Sequence, residues 1–387
     1  MTDPSGAVTD PTGDARQPIS GLGVDALGAW LRARAEPSYR LRQILAGIHR
    51  SPVGGFQDLL ELPAALRSEL EGSFRFSSIA RSHVLTADTG LTHKAVHELS
   101  DGQRVESVRM SYPPTARSAA RTTVCISSQA GCAVGCPFCA TGQAGFGRQL
   151  TVAEIVDQVL HWHRSVESQH AASRPHYNVV FMGMGEPLNN TDRVFESIRL
   201  LNDPDRLGIG ARHITVSTSG VVPGMRRMST ELPQVNLAVS LHAATDELRD
   251  ELVPINRKWP ISEVIGAAQH FASVSGRRVS LEYVMIDGVN DSTDQALRLA
   301  ELALGWLSHV NLIPMNPTPG SRWTGSPAAA VERFAATLRR ASVPVTVRDT
   351  RGREIEAACG QLHAQLAGRE LPRQAPRHAG RAEVRVA

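Results

Sequence analysis

Lysine is almost missing from this 387-residue chain: of its 41 Lys+Arg residues, only Lys94 and Lys258 are lysines. Arginine is the better phosphate ligand, but a GC-rich coding bias produces the same skew, so the skew alone selects neither explanation. Acidic residues number 38, leaving a net charge of only +3. No apolar run approaches the roughly 18 to 20 residues that a membrane span needs. The stretch after Met1, T-D-P-S-G-A-V-T-D, has neither the basic nor the apolar part of a secretory signal. These absences predict a cytoplasmic protein without a membrane partner, in a compartment where thiols stay reduced. Cysteine is scarce and odd in number, five in all, which excludes a disulfide scaffold. With 42% apolar residues the chain is not a disordered one, and it is long enough for one large or two modest domains.

Residues 1 to 20, rich in Gly, Pro, Asp and Thr without apolar periodicity, are expected to be disordered. From 21 to 76 apolar residues recur at helical spacing, as in Leu41, Ile44, Leu45 and Ile48, and Pro52, Gly54-Gly55 and Pro63 cut this stretch into a small helical module. Two β runs, His93 to Leu99 and Arg104 to Met110, flank Asp101-Gly102, a hairpin signal, so 77 to 117 is expected to be a β-hairpin linker. From 118 to 365 strand-like and helical runs alternate. The strands are Thr122 to Ile126, Asn178 to Met182, His213 to Ser217, Val235 to Leu241, Val279 to Ile286, Val310 to Ile313 and Val343 to Val347. The clearest helices are Val152 to Arg164, Arg193 to Leu201, Ser262 to Ser273, Asp294 to Leu307 and Ala328 to Arg340. Such alternation predicts parallel strands joined by right-handed crossovers, an α/β fold of the incomplete (β/α)6 barrel type. A doubly wound open sheet is the alternative, disfavoured because no G-x-G-x-x-G opens the first helix. Residues 366 to 387, with Arg369, Arg373, Arg377, Arg381 and Arg385 among Pro, Gly and Ala, form an expected flexible basic tail.

Cys132, Cys136 and Cys139 stand as C-A-V-G-C-P-F-C in a loop after the first strand of this region. Three thiolates from one loop can converge on an inorganic core. A structural zinc site, or an electron-transfer 4Fe-4S cluster, would need a fourth ligand, for which Cys125 is the nearby thiol. Zinc ligands usually come in two knuckles, whereas Cys125 falls within a predicted strand. Three thiolates on a four-iron cluster would leave one iron with an open position.

The loop spacing, with Phe138 before the last cysteine, resembles the radical S-adenosylmethionine (SAM) superfamily, whose open iron chelates the amino and carboxylate groups of SAM. The string C-I-S-S-Q-A-G-C-A-V-G-C-P-F-C-A-T-G from Cys125, together with A-A-C-G-Q-L around Cys359, resembles the RNA adenine methyltransferases of the RlmN and Cfr group, over about 25 to 365. That resemblance implies the radical SAM barrel, a 4Fe-4S cluster held by Cys132, Cys136 and Cys139, and two SAM molecules per turnover. It also implies a one-electron donor of the flavodoxin or ferredoxin type, and the chain is expected to act as a monomer.

Further along, G-M-G-E-P places Gly185 and Glu186 at the next strand end. An ordinary turn explains it in isolation; beside the cysteine loop a carboxylate suits the SAM ammonium, and the family's glutamate motif matches it. Ser217, then Ser240, Leu241 and His242, and then Asn316 put short polar groups at later strand ends. Caps and turns explain any one of them; together they favour a ligand as large as SAM, and the resemblance implies contacts to its ribose, carboxylate and adenine.

Two thiols stand outside the cluster. An isolated cysteine such as Cys359 is most often a small buried hydrophobe, but Cys125 is equally unassigned, and two thiols at one site can alternate between dithiol and disulfide. Glu106, in R-V-E-S-V-R-M, shares a strand face with Val108 and Met110; desolvation there would suit it to general-base work, although a solvated edge carboxylate is the usual reading. The resemblance assigns the roles: Cys359 takes a methyl from a first SAM, and a second SAM yields a 5′-deoxyadenosyl radical that activates this methyl for addition to adenine. Glu106 then accepts the ring proton, and Cys125 attacks the Cys359 sulfur to release the RNA through a transient disulfide. The family's targets are carbon 2 of adenine 2503 in 23S ribosomal RNA (rRNA) and of adenine 37 in some transfer RNAs (tRNA). Cfr-like carbon-8 methylation, a glycyl-radical activase and a zinc-containing RNA-binding protein are the competing readings. Trp30, Arg32, Arg34, Tyr39, Arg40, Arg42 and Arg50 in the helical module suit RNA, as they would suit any solvated helical surface.

Overall fold

The computed structural model describes residues 14–51, 53–115, 119–167, 177–316, 318, 321–348, 352, 355–358 and 360–362. The expected tail, and residues 1–13 of the expected disordered start, lie outside these. Residues 14–20 differ from the expectation: Gln17–Pro18 pairs in parallel with Phe74–Arg75. Ile19 is buried beside them in the core of the helical module. The reason is an apolar anchor flanked by too little periodicity to register as an element.

Three helices, α1 (Val24–Arg32), α2 (Tyr39–Arg50) and α3 (Ala64–Ser73), follow. Their apolar stripes close on one another around Leu27, Ile44, Ile48, Leu66 and Leu70. Arg50 donates from Nε to the Arg206 carbonyl at 2.6 Å and also to the Pro204 carbonyl. Arg206, fully buried, reaches back to His49 Nε2 at 2.9 Å. Arg50 therefore belongs to the joint between module and barrel rather than to an RNA-facing surface. Arg34 stacks over Trp30 and pairs with Glu69, while Tyr39 is the exposed aromatic of the group.

Ten strands form one sheet: β1 (Ile79–Ala87), β2 (Thr92–Leu99), β3 (Arg104–Tyr112), β4 (Arg121–Cys125), β5 (Tyr177–Phe181), β6 (Ile214–Thr218), β7 (Asn236–Ser240), β8 (Val279–Met285), β9 (Ser308–Pro314) and β10 (Val345–Val347). Their order in the sheet is their order in the chain. Strands β1 to β4 are antiparallel neighbours. From β4 to β10 every pairing is parallel. Crossovers run through α4 (Val152–Glu167), α5 (Thr191–Asn202), α6 (Val222–Glu231), α7 (Ile261–Ser275), α8 (Thr293–Ala303) and α9 (Ala328–Arg340).

A doubly wound sheet reverses its strand order at a switch point; this one never reverses. With right-handed crossovers, a monotonic order keeps all the helices on one face, and the sheet curls away from them into an open barrel. The buried runs are those of strands covered on both faces, with Val179, Val216, Val239, Leu281 and Val310 at 0% exposure. Each such side chain contributes roughly 1.5 to 3 kcal/mol on burial. The Asp101-Gly102 turn joins β2 to β3, with Gly102 at φ +80°. No helix among the described residues is long and apolar enough to cross a membrane.

Candidate functional site

Parallel strands all present their carboxyl ends to the same rim, and the loops leaving that rim build one cavity. Its walls include Cys132, Cys136 and Cys139, then Gly185 and Glu186 after β5, Ser217 and Ser219 at the end of β6, Ser240 and His242 at the end of β7, and Asn316 after β9. Residues of the cysteine loop and of four separated strand ends thus share one space. Leu241 is placed differently: its side chain is buried in the barrel core, and it meets the rim through its main chain, whose carbonyl accepts from Arg249 Nε at 3.0 Å.

The cysteine loop is braced by its own main chain. Cys132 N donates to the Gly145 carbonyl at 2.8 Å and Cys139 N to the Cys136 carbonyl at 3.1 Å. A Cβ on Gly142 would stand 2.7 Å from the Cys136 carbonyl oxygen, so the loop closes only around glycine. Burial pushes the Cys132 thiol up to about 12, and burial together with the neighbouring thiols pushes Cys136 well above its ordinary value. A bound inorganic cation reverses that preference by drawing the protons off. Among the described residues no three His, Cys, Asp or Glu side chains are placed to hold a single ion. Cys125, the fourth thiol a zinc site would use, does not line the cavity. Three soft thiols beside a cavity, with no fourth lining it among the described residues, fit a larger iron-sulfur core open on one side.

Glu186 satisfies its turn and still faces the cavity. Leu188 N donates to Oε1 at 3.0 Å, and the Ser219 main-chain N–H and hydroxyl both donate to Oε2 at 2.7 Å. Burial raises its titration, and the Ser219 bonds pull it back. The turn-cap reading and the ligand reading therefore describe the same carboxylate, which is held by these bonds while it lines the cavity. Gly185, at φ +99°, lies where a Cβ would meet Gln129 at 2.5 Å. The motif thus packs against the segment after β4 as only glycine can.

Ser217 Oγ stands 3.3 Å from Ser240 Oγ. His242 adopts φ +62°, uncommon for a non-glycine residue, where β7 turns away from the sheet. Its Nδ1 accepts from Val284 N at 3.1 Å. Burial, with Arg249 nearby, lowers its titration to about 3. A neutral ring whose Nδ1 accepts carries its proton on Nε2, which makes His242 a donor. Phe138 meets this ring edge-on at 5.2 Å.

Glu106 and Cys125 lie on a neighbouring row of the sheet rather than in the cavity wall. In the β2–β3–β4 register Lys94 and Cys125 both pair with Val108, and Glu106 pairs with Val96, so Lys94, Glu106 and Cys125 share one face. Glu106 is fully buried, not the solvated edge carboxylate of the usual reading, and its Oε1 is 3.5 Å from Lys94 Nζ. Ser127 joins the row to the cavity by donating its hydroxyl to the Glu106 carbonyl at 2.6 Å and accepting from Met184 N at 2.8 Å.

Cys359 itself lies outside the described residues. The chain on either side of it is tied down at four points. Gly352 N donates to Asp88 Oδ2 at 2.9 Å, and Lys94 Nζ donates to the Glu356 carbonyl at 3.4 Å. Ala140 N donates to the Gly360 carbonyl at 2.8 Å. The Thr141 hydroxyl donates to the Leu362 carbonyl. The first two ties reach β2 and the turn before it, beside the strand that carries Glu106, and the last two reach the end of the cysteine loop. Gly360 and Leu362 line the cavity.

Three residues escaped the sequence reading. Arg249, on the short helix Asp246–Leu252, is fully buried. It donates to the Ser219 carbonyl at 2.6 Å and to the Ser240 carbonyl at 3.3 Å, joining two strand ends under the cavity; its run D-E-L-R-D-E-L looks like a solvated helix. Ser219 stands two places beyond Ser217 in the same motif. Glu282 lines the cavity from β8 and accepts from Asn311 Nδ2 at 2.8 Å. Its signal was available, a lone charge inside an apolar strand run.

A family model described as the Radical SAM superfamily matches residues 126–300. Among curated proteins, a probable dual-specificity RNA methyltransferase RlmN from Salinispora tropica is 51% identical over 85% of this chain and 88% of its own length. A protein of the same description from Thermobifida fusca is 49% identical over 85% of this chain and 90% of its own. Among solved structures, a radical SAM methyltransferase from Sphaerobacter thermophilus is similar at TM-score 0.85 and 43% identity, covering 90% of this chain and all of that one.

Proposed function

Because this chain belongs to the radical SAM superfamily and, within it, to the RlmN family of dual-specificity RNA methyltransferases, we propose that it methylates carbon 2 of adenine 2503 in 23S rRNA and of adenine 37 in some tRNAs. The observation that carries the reading is the cavity, in which three cysteines of one loop and polar groups from four strand ends face one another. A fourth thiol, Cys125, sits apart with a buried carboxylate.

Cys132, Cys136 and Cys139 would hold a 4Fe-4S cluster. Glu186, with Gly185, Ser217, Ser240, His242, Asn316 and the main chain at Leu241, would hold SAM. When bound, the cluster and SAM supply the electron relay, the methyl group and the carbon radical that an electron-poor ring carbon requires. The protein's own groups do the rest. The buried Glu106 carboxylate accepts the proton leaving the ring, Cys359 carries the methyl, and Cys125 resolves the adduct. Two SAM molecules per turnover and an electron donor of flavodoxin or ferredoxin type complete the reading. A target adenine must leave its stack to reach a site at this depth, which suits a loop or single-stranded position.

Iron and sulfide analysis of anaerobically reconstituted protein tests the cofactor. The expected result is about four iron and four sulfide per chain with broad visible absorption, as for clusters of this class, lost in Cys136→Ala. Zinc in place of iron would overturn the assignment and favour a zinc-containing RNA-binding protein.

A further inference from the structure

Lys94 is one of two lysines among 41 basic residues, and its environment is unlike that of the other. Lys258 packs against Trp259, its Nζ 4.5 Å from the ring centroid. Lys94 lies on β2 at 3% exposure with its ammonium inside the protein. Two contacts are defined there: Glu106 Oε1 at 3.5 Å and the Glu356 main-chain carbonyl at 3.4 Å. Glu106 belongs to the sheet row that ends at Cys125, and Glu356 lies three residues before Cys359 in the chain. One ammonium thus touches the two segments that must cooperate if Glu106 takes a proton while the two thiols exchange.

We propose that Lys94 is a positioning residue for the methyl-transfer reaction, holding Glu106 in its ionised form and seating the 355–358 segment against it. The inference rests on the reading of Glu106 as proton acceptor. A carboxylate removed from water keeps its charge only beside a compensating cation. A base that enters turnover already protonated cannot accept the ring proton. Lysine suits the task because its ammonium is a compact charge with three donors, which here meet a carboxylate on one side and a carbonyl on the other. The two contacts come from different parts of the chain, so the ammonium has both of its partners only when the 355–358 segment is in place. The ammonium that pairs with the base thus also seats the chain that leads to Cys359.

Infrared difference spectra of the reconstituted holoenzyme, wild type minus Glu106→Gln, report whether Glu106 is ionised. Wild type is expected to show a carboxylate band, and Lys94→Met the carboxylic-acid band instead. Lys94→Arg is expected to restore the carboxylate. Methylation rates should follow, falling at least tenfold in Lys94→Met and recovering most of the way in Lys94→Arg. Lys94→Gln, which keeps a donor without the charge, carries the same expectation if the methionine variant does not fold. An ionised Glu106 and undiminished turnover in Lys94→Met or Lys94→Gln would overturn the proposal. A Glu106→Gln enzyme that turns over normally would instead show that the underlying proton-acceptor role is wrong, an outcome separable from the spectra.

Discussion

Cys125→Ala protein incubated with SAM, reductant and substrate RNA is expected to accumulate as a covalent protein–RNA adduct. Cys125 ends β4, buried at 7% exposure, on the sheet face that also holds Glu106 and Lys94. On the proposed reading its thiolate attacks the Cys359 sulfur. The new S–S bond forms as the S–C bond to the adenine-linked methylene breaks. The departing electron pair stays on that carbon, which is protonated to the methyl group. The two sulfurs, one a thiolate and the other a thioether, are oxidised to a disulfide and the methylene carbon is reduced, so the electrons balance. Alanine removes the attacking sulfur, and burial denies water the same approach. Release of methylated RNA should fall on the order of 10³-fold or more, as for loss of a group that acts directly on the reacting atoms. A denaturing gel would show a slow band that ribonuclease collapses. Free product at the wild-type rate would remove Cys125 from the reaction.

Cys359→Ala is expected to abolish methyl transfer to RNA while leaving iron, sulfide and visible absorption unchanged. The contrast with a Cys136→Ala enzyme, which should lose the cluster and the activity together, separates a carrier thiol from a ligand. Structural support comes from the chain around Cys359. Asp88 and Lys94 hold it to the hairpin side, and Ala140 and Thr141 hold it to the cysteine loop. The described residues flanking it thus contact both the hairpin side and the cysteine loop, as the proposed carrier role requires. The carrier must be a nucleophile toward a sulfonium methyl, which a thiolate is and alanine is not. Radiolabel from methyl-labelled SAM should appear neither on the variant protein nor on RNA. Labelled RNA from this variant would contradict the carrier role.

Much of the architecture was legible because parallel strands covered on both faces are written as short apolar runs between amphipathic helices. Helix α6 was not. Its sequence, V-P-G-M-R-R-M-S-T-E, opens with the residues that mark a turn. In the fold Pro223 falls in the first helical turn, where it is tolerated, and Gly224 packs so tightly that a Cβ would stand 2.7 Å from the Leu188 side chain. The cysteine loop and G-M-G-E-P were legible because their chemistry is local, carried by adjacent letters. Arg249 and Lys94 were not, because each acts through carbonyls or a carboxylate contributed by distant segments. Glu106 lay between these cases. Its strand and face could be read by alternation, but its complete burial and the Lys94 ammonium beside it depend on the β2–β3 register and on packing.

The central claim, that this three-plus-two set of cysteines serves methylation of adenine at carbon 2, is tested most directly by identifying the product. RNA treated with reconstituted enzyme, SAM and an electron donor is digested to nucleosides and compared with authentic methyladenosines by chromatography and mass spectrometry. The account predicts 2-methyladenosine, absent when Cys359 is replaced. Only 8-methyladenosine, or unmodified RNA from an enzyme with an intact cluster, would contradict it.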